Sequence, residues 1–148
     1  MAKMTHSPIL MKANMIRIII AGGRDYTNYP ELKGFCKAVV DLYKNDVEIV
    51  SGTMKGVDLL GERFSREVIG SEPARFPADW DDINHPEAVV KYKKNGKPYN
   101  AAAGPIRNRK MADYADMLIA FWDKKSRGTK NMIEEAEKRG LLVHINYY

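Results

Sequence analysis

The chain predicts an α/β fold: an open, mainly parallel sheet with helices on both faces. Three observations predict it. Short apolar runs alternate with segments of 3.6-residue periodicity, the pattern of β-α units. The runs are apolar throughout, as strands covered on both sheet faces must be. They also end in similar chemistry, with glycine, small hydroxyls and cations preceding each helical stretch.

The first strand spans 16–21 and ends at Gly22-Gly23-Arg24-Asp25. Leu32, Phe35, Cys36, Val39, Val40 and Tyr43 form one stripe and predict helix 30–44. Strand 47–51 runs into Ser51-Gly52-Thr53-Met54-Lys55-Gly56, and Val57, Leu60, Phe64 and Val68 carry helix 57–69. Gly70 and Gly140 stand where helix C-caps are expected. Strand 74–78 precedes an irregular insertion, 79–103, with Trp80, Asp81-Asp82, Pro86, Gly96 and Pro98 and a short helix expected at 87–92. Pro105 suits the first position of helix 105–114. Strand 117–122, helix 129–139 and strand 142–146 complete a sheet of about five strands. Connections as long as 79–103 often act as lids, and this one follows a strand end.

A length of 148 residues suits one domain, read here as 16–148 behind a flexible lead-in at 1–15. Apolar residues make up 45% and no run nears the ~18 residues of a membrane span, so no membrane partner is expected. Pro8-Ile9-Leu10-Met11 is too short for a signal-peptide core, and the expected location is cytoplasmic. Cys36 lies on an apolar stripe and is read as buried; a nucleophilic role lacks a histidine partner. His6, His85 and His144 are scattered, so neither metal nor cofactor is predicted. The net charge of +5 is compatible with nucleic acid without requiring it. Lys91, Lys93, Lys94 and Lys97 form a separate run, read as a solvated face in a loop.

In an open parallel sheet the strand ends share one edge, where ligands bind. Gly22-Gly23-Arg24-Asp25 is either a tight turn or a phosphate cradle with Arg24 as clamp; no Walker A loop is present. In Ser51-Gly52-Thr53-Met54-Lys55-Gly56-Val57-Asp58, two glycines bracket a polar loop, and Asp58 either complements a helix dipole or accepts from ribose. Gly104-Pro105-Ile106-Arg107-Asn108-Arg109 opens a helix with Arg107 and Asn108 facing an anion and Arg109 on the surface. In Ser126-Arg127-Gly128-Thr129, a hydroxyl either caps the last helix or holds a phosphate. Trp80 and Trp122, each expected to end a strand, are candidates to stack on a base, with ordinary packing as the alternative. With Lys55, Lys124 and Arg127 these residues describe a pocket for a phosphorylated small molecule.

Taken with Tyr26 and Pro77-Ala78-Asp79-Trp80, this ordered series over about residues 16–146 resembles the YspA-like (cpYpsA-related) branch of the SLOG superfamily. That superfamily includes the DNA-processing protein DprA and the Lonely Guy phosphoribohydrolases, and the branch is common in bacteria and phages. The resemblance implies a Rossmann-like three-layer sandwich that binds a nucleotide or nucleotide-derived ligand and self-associates. Converging anion sites without a convincing catalytic pair make a sensor or sequestering module for a nucleotide or ADP-ribose-like molecule the leading reading. Thr53 replaces the second glycine of the branch's loop, and Lys55 replaces an arginine, keeping charge but losing the bidentate fork. Arg107 aligns with an active-site arginine of the Lonely Guy enzymes, whose catalytic glutamate position is here Asn131. Glu134 lies one turn further on. An N-glycosidic-bond hydrolase is therefore the alternative, with Asp25, Asp58 or Asp79 as carboxylate and Arg107 on the 5′-phosphate. A DprA-like nucleic-acid-binding module ranks after it.

Overall fold

The protein is described here by a computed structural model covering residues 15–148; the expected lead-in, Met15 excepted, lies outside the described residues. The order is β1 (Met15–Gly22), α1 (Tyr29–Val40), β2 (Asp46–Ser51), α2 (Val57–Phe64), a π-helical turn (Ser65–Ile69), β3 (Ala74–Arg75), β4 (Val90–Tyr92), β5 (Pro98–Asn100), α3 (Ala103–Tyr114), β6 (Met117–Trp122), α4 (Arg127–Lys138) and β7 (Leu142–Tyr147).

Five strands form one sheet in the order β3-β2-β1-β6-β7, with every pairing parallel. Side chains alternate across a strand, so the central strand β1 feeds two cores. Ile18 and Ile20 pack with Leu32 and Cys36 of α1 and Val57 and Phe64 of α2. Ile19 and Ala21 pack with Met111 and Ala112 of α3 and Met132 and Ala136 of α4. The result is the expected α/β, Rossmann-like three-layer sandwich. Cys36 is buried, and burial pushes its thiol well above the ordinary range, which leaves it inert. Among the described residues no helix is long and apolar enough to cross a membrane.

Five local expectations are corrected. Helix 30–44 stops at Val40, because the N–H groups of Leu42 and Tyr43 turn to i−3 carbonyls at Val39 and Val40. Helix 57–69 is α-helical only to Phe64; the N–H groups of Gly70 and Ser71 both reach back to the Ser65 carbonyl and widen the last turn. Strand 74–78 shrinks to Ala74–Arg75 because, after Phe76 donates to Ser51, β2 turns away: Thr53 takes φ 69° and its N–H goes to Ser51 Oγ rather than to the next rung. Trp80 therefore ends no strand. The helix expected at 87–92 is instead strand β4, paired antiparallel with β5 around the turn Lys93-Lys94-Asn95-Gly96. Gly96 takes φ 83°, and the Asn95 side chain accepts from the N–H of Lys97. The lysine run is exposed, as expected: Lys91 lies on β4, and Lys93, Lys94 and Lys97 lie in the loop that joins it to β5.

Candidate functional site

The chain leaves β1 toward β2 on one side, while β6 flanks β1 on the other. Loops diverge at such a reversal and open a crevice beyond the strand ends. Here the crevice is a cavity of about 630 Å³.

Gly22-Gly23 builds its floor. A Cβ on Gly22 would strike the Phe121 backbone and Val57, and one on Gly23 would strike the Tyr148 hydroxyl. The Gly23 N–H donates to Phe121 (3.3 Å) while its carbonyl accepts from Val57 (3.2 Å), tying β1 to β6 and α2. Arg24 and Asp25 follow, exposed and on the cavity wall; Asp25 accepts from the Tyr148 hydroxyl at 3.0 Å.

In the next loop, Ser51 Oγ donates to Glu62 (2.7 Å) and accepts from the Thr53 N–H (3.0 Å). Thr53 occupies the left-handed region at φ 69°, a conformation that favours glycine. Gly56, at φ 86°, packs its Cα against the Gly23 carbonyl and Arg24 backbone, leaving no room for a side chain. Lys55 is exposed and lies away from the cavity wall. Ser51, Gly52, Thr53 and Gly56 thus shape the loop, and the residues of this stretch on the wall are Met54 and Asp58. Asp58 is only 6% exposed, and its Oδ2 accepts from the Met54 N–H at 3.1 Å. Burial raises its carboxyl to about 6, against the opposing pull of that N–H and of Arg107.

Helix α3 starts at Ala103, two residues before the expected start, so Pro105 falls at its third position, still in the turn whose N–H groups need no helical partner. Arg107 is 9% exposed and works as a strut. Its Nη1 donates to the carbonyls of Gly52 and Phe76, and its Nε donates to Asn108 Oδ1 at 3.0 Å. Asn108 passes the connection on, donating to Asn131 (2.9 Å) and to the Gly128 carbonyl (3.3 Å). One polar chain thus spans from the end of β2 to the start of α4. Arg109 points away to an ion pair with Glu87.

Ser126 caps α4, its Oγ accepting from the Thr129 N–H at 3.3 Å and meeting Thr129 Oγ1 at 2.9 Å. Asp123 holds the loop by accepting from Lys125 and Ser126, both at 2.8 Å. Arg127 and Gly128 line the cavity, and a Cβ on Gly128 would meet nothing within 4 Å. Lys124 leaves the site and lies over the Tyr147 ring, 4.9 Å from its centroid. Trp122 also points elsewhere, donating to the Ser126 carbonyl at 3.1 Å. Trp80 does reach the wall, where Gly104 lies close to its ring edge.

Asp79 stands apart, lining a second cavity of about 380 Å³ with Arg75, His85 and Lys110; Arg107 borders both cavities. Of the candidate site residues, Gly22, Gly23, Arg24, Asp25, Asp58, Trp80, Gly104, Arg107, Asn108, Arg127, Gly128 and Thr129 therefore gather on one wall system. Sequence reasoning left out Met54, Asp123 and Tyr148. Met54 and Asp123 stand inside the same loop motifs as the residues it chose; nothing in the sequence links Tyr148 to Gly23. Among the described residues no cluster of three or more His, Cys, Asp or Glu side chains is arranged for a metal.

No family model matches the chain, and neither does any curated protein. Among solved structures it is similar to DNA processing protein A from Helicobacter pylori, described for its single-stranded DNA binding mode. The TM-score is 0.58 at 17% sequence identity, over 94% of this chain and 68% of that one. The likeness is one of fold, to a member of the superfamily that the motifs resemble.

Proposed function

We propose that the cavity binds a nucleotide unit, with its phosphate at the start of α4 and its base toward Trp80. One observation carries this: Gly128 opens onto free space at a helix N-terminus, with Arg127 and Arg24 on the same cavity wall. Helix N-termini present unpaired N–H groups to anions, and about 630 Å³ lies in the size range of small-ligand sites. Gly22, Gly23, Arg107, Asn108 and Thr129 hold the walls in place, and Ser51, Gly52, Thr53 and Gly56 shape the neighbouring loop. Lys55 and Asp79 act from outside the cavity if they contact a longer ligand.

Binding without cleavage fits the chemistry best. Asn131, at the position of the Lonely Guy glutamate, offers no carboxylate, and its side-chain oxygen is taken by Asn108. The fold likeness to a protein solved for its single-stranded DNA binding favours a nucleotide presented by a strand. It raises the nucleic-acid reading above its rank in the sequence; the YspA-like assignment and self-association stand as parts of the same proposal.

Calorimetry with AMP and ADP-ribose, beside fluorescence anisotropy with a labelled oligothymidylate, tests the proposal. Arg127→Ala should weaken binding roughly tenfold, the loss of one charge-assisted contact. Strand binding should also fall linearly with salt on logarithmic axes. Neither heat nor anisotropy change with any of these probes refutes the pocket.

A further inference from the structure

Asp58 is out of place in a pocket for anions. Its carboxylate is nearly all buried, yet the Met54 N–H on Oδ2 is its one hydrogen bond, leaving Oδ1 without a partner. Arg107 on α3 and Arg24 after β1 act on it from nearby, and Glu62 adds a like charge from one turn along α2, but none is bonded to it. Gly52 is what lets the chain pass here: a Cβ at that position would fall 2.7 Å from Asp58 Oδ2 and 2.9 Å from Arg107 Nη1. The carboxylate belongs to the α1-α2 layer, whereas Arg127, Gly128 and Thr129 belong to the α3-α4 layer on the other face of the sheet. The cavity wall therefore presents N–H groups and Arg127 at the start of α4, and at Asp58 a carboxylate oxygen free to accept; its other two carboxylates, Asp123 and Asp25, already accept from the N–H groups of Lys125 and Ser126 and from the Tyr148 hydroxyl.

We propose that Asp58 sets the direction and chemical class of the ligand: Oδ1 accepts a hydrogen bond from a donor on the part of the nucleotide remote from the phosphate. This rests on the nucleotide reading above. An ionised carboxylate in a poorly solvated wall repels phosphate and rewards a hydroxyl or an amine. Two parts of a nucleotide supply such a donor, the ribose hydroxyls and an exocyclic amine of the base.

The test uses Asp58→Asn, which preserves shape. The asparagine oxygen takes over the Met54 N–H, so its NH₂ faces the cavity and a donor replaces an acceptor. Calorimetry at pH 7.5 compares AMP with 2′-deoxy-AMP, 3′-deoxy-AMP and inosine monophosphate, the last lacking the amine. On the native protein at least one analogue should bind roughly tenfold more weakly than AMP, the cost of leaving unpaired an acceptor that the bound ligand shuts off from water. A deficit confined to the deoxy analogues identifies a ribose hydroxyl; one confined to inosine monophosphate identifies the amine. Asp58→Asn should abolish or reverse the difference. Native affinity for AMP should also fall between pH 7.5 and 5 by more than that of the variant, which reports only the ligand phosphate's own ionisation near 6. Equal affinity for all four ligands in both proteins overturns the role of Asp58 while leaving the pocket intact. Absence of binding by any of them overturns the pocket, and the inference with it.

Discussion

Arg107 on α3 donates to the carbonyl of Gly52 at the end of β2, joining across the sheet edge two loops that are 55 residues apart. The same nitrogen reaches the Phe76 carbonyl, so the guanidinium occupies the place where three segments converge.

Replacing Arg107 with alanine strands two carbonyls and the Asn108 amide. A loss of about 2–4 kcal/mol is expected from the desolvation of groups left unpaired, read as a lowered midpoint in urea. Arg127→Ala, at an exposed residue without such bonds, should stay within about 0.5 kcal/mol of the native protein. Binding lost on Arg107→Ala thus reports a fallen wall, and Arg127→Ala is the cleaner probe of ligand contact.

Gly52→Ala tests how tightly the Asp58–Arg107 pair is set. The added methyl would enter between the carboxylate and the guanidinium. Overpacking of this kind costs about 1–3 kcal/mol. Thermal denaturation should show the loss, and nucleotide affinity should drop with it, because both displaced side chains line the cavity.

Asp58 should make the free protein less stable at neutral pH than at acid pH. Its carboxyl is raised to about 6 in the folded state, so between the ordinary carboxylate range and that value the folded chain holds more protons than the unfolded chain. Its contribution to stability therefore declines as pH rises through this window and levels off above it. Asp58→Asn should stabilise the protein by about 1–3 kcal/mol at pH 7 and by almost nothing at pH 4. Glu62 runs the opposite way: burial pushes it up, but the Ser51 hydroxyl and Arg75 hold it below its usual range, and its contribution is lost on acidification. The difference between the native and variant pH profiles isolates Asp58. A gain from Asp58→Asn no larger at pH 7 than at pH 4 contradicts this account. A gain in stability together with lost ligand discrimination is the mark of a residue retained for binding.

Thr53→Gly should raise stability by about 0.5–1 kcal/mol. A β-branched residue at φ 69° is strained, and glycine relieves the strain at a smaller entropic cost. Differential scanning calorimetry reads the shift directly. The Thr53 side chain stands off the cavity wall, so affinity for AMP should change little.

Much of the site was legible because it follows from order along the chain. In a parallel sheet every strand ends at the same edge, so Gly22-Gly23, Ser51-Gly52 and Arg127-Gly128 had to gather there once the strands were identified. The misreadings came from local competition. The turn of β2 at Thr53 left β3 without further rungs and removed Trp80 from any strand end. The Asn95-Gly96 turn made a hairpin out of a stretch where a short helix was expected.

The sequence by itself determined the layered α/β architecture and the set of loops that meet, because apolar periodicity and glycine placement are local properties of the chain. Only the tertiary structure decided the work of each side chain in those loops. Lys124 turns to Tyr147 and Lys55 to solvent, Arg107 becomes a strut, and Asp58 is buried with one oxygen unpartnered. Those outcomes depend on which carbonyls and rings stand within reach after folding, and distances across the sheet are not written in the spacing of residues along it.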